Sequence, residues 1–178
     1  MVRTHFSTVI EISPQKLLKQ EHVLVTEPEF LDIFKVEIVH GDKSTALKNP
    51  YQALLTESTA KKFYGDENPV GKTFKYRGKF MITVTGVIRD LPSNTNLPAS
   101  ILLSYVPNDD FLDNGDTWYF GGLAWTKLAA MIYVVLAKDY DPKDFQSQLT
   151  KIIDAKVNSV PEREKNIRGD FEIQPLRD

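Results

Sequence analysis

Two periodicities divide the chain. Alternation at every second residue marks strands, and apolar residues three and four apart mark helices. Over Phe6 to Ile12, Phe6, Thr8, Ile10 and Ile12 fall on one side and Ser7, Val9 and Glu11 on the other, which predicts a strand ended by Pro14. A second strand runs from His22 to Thr26 into Glu27-Pro28. Pro28 suits the first turn of a short helix, where its missing N–H is no loss, and Phe30, Ile33 and Phe34 would share that helix's apolar face. Val36 to Val39 reads as a strand stopped by Gly41-Asp42, and Tyr51 to Leu55 as another. Thr56 is placed to cap the helix that follows, and Glu57 sits at its positive end. Ala60, Phe63 and Tyr64 form its apolar side, and Gly65 fits the positive-φ position past its end.

Lys72 to Tyr76 and Phe80 to Arg89 predict a hairpin about Arg77-Gly78-Lys79. Phe80, Ile82, Val84 and Ile88 share one face of its second strand, and Met81, Thr83, Thr85 and Val87 the other. Gly86 lies among the first set and signals a bulge or a close backbone approach. Ile101 to Tyr105 is a further strand. Leu128 to Ala137 is nearly all apolar and reads as a strand covered on both faces. Asp141-Pro142 opens the clearest helix, with Phe145, Leu149, Ile152, Ile153 and Val157 as its buried stripe. Asp170 to Pro175 reads as a closing strand. The pattern predicts an α+β fold: mixed sheets, about three helices and no regular βα alternation. The whole chain, 1–178, is expected to form one domain with two lobes, their boundary within the irregular stretch 106–124.

Composition narrows the function. Hydrophobic residues make up 42% and charged residues 26%, ordinary for a folded globular chain. With 22 basic and 24 acidic residues the formal net charge is -2, and no basic block supplies the electrostatic footprint of a nucleic-acid binder. The absence of cysteine excludes disulfides, thiolate metal sites and cysteine nucleophiles. The longest apolar run, Leu128 to Ala137, is about half of the ~20 residues a spanning helix needs. No apolar h-region follows Met1-Val2-Arg3-Thr4-His5.

Gly65 to Thr73 ends in Gly71-Lys72-Thr73 and resembles a phosphate-binding loop. The first glycine of that motif falls on Asp66, whose carboxylate would repel phosphate, and the flanks run helix-to-strand rather than strand-to-helix. A structural turn is expected there. His5, His22 and His40 lack the paired spacing of zinc ligands. The acidic run Asp109 to Asp116 resembles a calcium loop in composition, but the twelfth position is Phe120 where a bidentate Glu is required. No catalytic, cofactor-binding or metal residue is assigned. Trp118, Tyr119, Phe120 and Trp125 are the candidates for a partner-binding surface, since Trp and Tyr are enriched at interface hot spots; the alternative is that they plug a core between lobes.

Five ordered segments carry a family resemblance. They are Val25 to Phe34, Gly41-Asp42 to Leu47 with Leu54 to Gly65, Asn68 to Phe74, Val84 to Pro92, and Gln174 to Asp178. Together they resemble the periplasmic core domain of MacB/FtsX-type ABC transporter permeases, with order and spacing agreeing across 23–105. Leu31 stands where a second aromatic is usual, and Thr95-Asn96 where Ser-His is common. The resemblance implies a two-lobed extracytoplasmic domain inserted between the first two of four transmembrane helices, which are expected outside this sequence. It implies a second permease copy joined through the membrane part, a cytoplasmic ATPase subunit and a periplasmic adaptor or cargo. It further implies that ATP hydrolysis on that subunit is coupled to export or extraction outside the inner membrane, with no covalent chemistry in this domain and no cofactor. The competing expectation is a free-standing periplasmic binding or adhesion module, motivated by the aromatic and acidic stretch from Asp109 to Trp125.

Overall fold

The computed structural model describes residues 2–105, 131–158 and 173–176. They fall into two compact units, one of 2–105 with 131–133 and one of 134–158 with 173–176. In the first unit the order is β1 (Val2–Ser13), β2 (Lys16–Thr26), α1 (Phe30–Ile33), β3 (Ile38–Gly41), β4 (Gln52–Thr56), α2 (Glu57–Tyr64), β5 (Thr73–Tyr76), β6 (Phe80–Ile88) and β7 (Ile101–Ser104). The second unit holds α3 (Pro142–Asn158). The fold is α+β, as the pattern predicts.

All seven strands join one mixed sheet, in the order β3-β6-β4-β7-β2-β1-β5. β5 also pairs with β6, so six of the strands close into a ring and β3 extends it outside β6. β7 runs parallel to β2 and antiparallel to β4. Alternation sends successive residues of these central strands to opposite sides. Val23, Val25, Ala53, Leu55, Ile101 and Leu103 face a core completed by Phe74, Tyr76, Ile82 and the α2 residues Ala60 and Phe63. Leu24, Leu54 and Leu102 face a second core with Phe30 and Leu31 of α1, Val36, Ala46, Leu47 and Leu97. Every residue of β7 is therefore buried.

Local chemistry explains the element boundaries. Thr56 accepts a hydrogen bond from the Thr59 amide at 3.3 Å, the expected cap of α2. The helix ends at Gly65, whose φ is +67°. In β6 the register against β4 steps from Ala53↔Val84 to Leu54↔Gly86, leaving Thr85 as the bulged residue. Gly86 pairs with Gly41, and neither could carry a side chain. A Cβ on Gly86 would stand 2.7 Å from the His40 carbonyl oxygen, and one on Gly41 would stand 2.5 Å from that of Thr85. The glycine signal in this strand thus marks both a bulge and a close approach.

Several expectations are corrected. The first two strands are longer than the pattern shows and form one hairpin around Pro14-Gln15, with Ser13 opposite Lys16. In Lys16 to Glu21 an adjacent pair, Leu17-Leu18, stands among polar residues, which gives no alternation of apolar and polar positions, yet its backbone pairs with β1. The third strand begins at Ile38 rather than Val36. Of the apolar run 128–137, residues 131–137 are described; only Met131 makes a sheet bridge, and Ile132 and Val135 are 73% and 78% exposed. A short apolar run carries no periodicity that would test its cover. Of the expected closing strand 170–175, residues 173–175 are described and have no regular structure.

In the second unit Asp141 accepts from the Lys143 amide at 2.8 Å and opens α3. Phe145, Leu149 and Ile153 are half-buried, whereas Ile152 is exposed; the side chain of Val157 lies outside those described. Gln146 accepts from the Ile173 amide at 2.8 Å and ties the later segment to the helix.

The substitution Gly86→Ala should destabilise the chain by about 1–3 kcal/mol, because the new methyl group meets backbone that cannot yield without moving β3. Urea denaturation of the purified chain measures this; an unchanged midpoint would show that the approach at Gly41 and Gly86 is not tight.

Candidate functional site

The phosphate-loop mimic is a connection between α2 and β5. Its flanks run helix-to-strand, as expected from the sequence. Its amide groups already have acceptors. Val70 donates to the Asn68 side chain at 3.0 Å, Gly71 to the Val84 carbonyl at 2.8 Å and Lys72 to the Pro69 carbonyl at 2.9 Å. A phosphate cradle needs such amides pointing at the ligand. The Lys72 ammonium pairs with the Glu67 carboxylate and lies 5.1 Å from the centroid of the Tyr64 ring. The hydrogen bond from Lys72, followed by its charge, holds the Glu67 carboxyl below its ordinary range. Tyr64 donates to the Thr73 carbonyl at 3.1 Å, and burial pushes its phenol up to about 12. The turn is braced from both ends.

A second polar group ties the end of β6 to its neighbours. Arg89 donates twice to the Glu37 carboxylate, each at 2.8 Å, and its amide donates to the Glu37 carbonyl at 3.0 Å. The hydrogen bond from Arg89, then its charge, lowers the Glu37 pKa. Asp90 accepts from the Ser58 amide at 3.1 Å and from the Ser58 hydroxyl, in the first turn of α2. Burial raises the Asp90 pKa, but the bonds from Ser58 and Thr56 outweigh it and the net direction is down.

A third set fixes the β1–β2 hairpin to α2. Lys16 donates to the Phe63 carbonyl at 2.6 Å, satisfying an acceptor at the helix C-terminus. Lys62 donates to the Lys19 carbonyl at 3.2 Å and the Gln20 side chain at 2.9 Å. These lysines act as struts between elements.

Of the sequence candidates, Trp118, Tyr119, Phe120 and Trp125 lie outside the described residues, as does the acidic run 109–116. His22 and His40 are exposed at the surface. Among the described residues, no three His, Asp or Glu side chains are grouped to hold a metal ion. The structure instead exposes Val9, Leu17 and Met81, three large apolar side chains on strands. Alternation had already placed Val9 and Met81 opposite the buried sets; what it could not show is that their strands are neighbours.

This fold is found in permease periplasmic domains. A domain of a permease protein from Porphyromonas gingivalis superposes with a TM-score of 0.62 at 22% identity, covering 97% of this chain and 77% of that one. The periplasmic region of MacB from Actinobacillus actinomycetemcomitans superposes with a TM-score of 0.57 at 17% identity, covering 87% of this chain and 65% of that one. Residues 3–152 match the MacB-like periplasmic core domain, and the chain belongs to that family. No relative among the curated proteins matches it. It is thus a periplasmic domain of a MacB-like ABC transporter permease, a non-catalytic class of transport component. No described helix is long and apolar enough to cross a membrane.

Two outcomes test this reading of the polar groups. Millimolar Mg-ATP should leave the melting temperature unchanged, because the amides at Val70 to Lys72 have no free donors to offer; stabilisation by ATP would contradict the turn assignment. Replacing Ser58 by Ala should cost less than about 1 kcal/mol, since the Asp90 carboxylate is largely exposed and screened. The folded-state pKa of Asp90 is depressed, so its contribution is full above the ordinary carboxylate value near ~3.9 and is lost as pH falls through the lowered value. Urea titrations at neutral and acid pH should show the Ser58→Ala loss at the first and not at the second.

Proposed function

We propose that this domain transmits work from ATP hydrolysis in the cytoplasm to cargo or a partner on the extracytoplasmic side. The observation that carries the reading is the family match over residues 3–152, on a sheet whose central strands are packed on both faces. The centre of such a sheet moves as one body, because slipping a central strand by one residue would exchange its two buried sets. The reading includes a second permease copy, joined through the membrane part, and an ATPase subunit that binds and hydrolyses the nucleotide. It also treats the chain as one two-lobed domain. The polar groups of the first unit support a mechanical role: Lys16, Lys62, Arg89 and Asp90 each link one element to another.

Reconstitution of the complete permease with its ATPase tests the coupling. Deleting residues 3–152 should leave membrane assembly and basal ATP hydrolysis in place and abolish transport or extraction. Wild-type transport by the deleted form would sink the proposal.

A further inference from the structure

We draw no further inference here: the strongest candidate, the exposed row from Leu17 through Glu11 and Lys75 to Met81 across the outer face of β2, β1, β5 and β6, with Val9 beside it, is an apolar patch whose charges are already paired, Glu11 with Lys75 and Lys19 with Glu21, and nothing in the structure shows what covers it.

Discussion

The structure depends on β7 lying between β2 and β4 with both of its faces buried. Its four residues add only a short ladder to each neighbour, yet they bring together strands from either side of α1. Leu102 joins the core beneath α1, and Ile101 and Leu103 join the core beneath α2. Because side chains alternate along a strand, a slip of one residue would swap these sets and place the shapes suited to one core in the other. Two-sided burial therefore fixes register more firmly than the few hydrogen bonds could.

The close approach of β3 to β6 follows from that constraint. Gly86 faces Gly41 on one side and the Leu54 side chain on the other, and Leu54 is held in its core by the register of β4. The bulge at Thr85 takes up the extra residue, and its hydroxyl donates to the Ala53 carbonyl at 3.2 Å. The strand can then turn its next residues, Val87 and Ile88, into separate cores.

Much of this was legible in the sequence, but only where one residue's neighbours in sequence are also its neighbours in space. Thr56, Gly65 and the alternation of Phe80 to Val84 report on local geometry, and each has its expected role. Gly86 announced a close approach without naming Gly41 as its partner. Lys16 to Glu21 carries no strand signal because its two leucines are adjacent rather than alternating and Lys, Gln and Glu have low strand propensity. The exposed row had the same fate. Met81 could be placed on an outer face from the β6 alternation alone, but Leu17 becomes its neighbour only through three successive pairings. Family likeness could be read from ordered segments because loops and caps keep their spacing even where cross-strand contacts leave no local trace.

The same geometry braces the outer strands. A sheet that is to act as one body needs its outer strands braced as well as its centre. The row from Leu17 to Met81 lies on strands held behind by Ile10, Tyr76 and Ile82 in the buried core. Its hairpin is tied to α2 by Lys16 and Lys62, and α2 is tied to the end of β6 through Ser58 and Asp90. A load applied to the hairpin tip is thereby shared between β1, α2 and β6 rather than opening the β1–β2 ladder from its end. A charge-reversing change at Lys16 or Lys62 would remove these ties, whereas one at Lys19, whose side chain makes a surface pair with Glu21, would leave them in place.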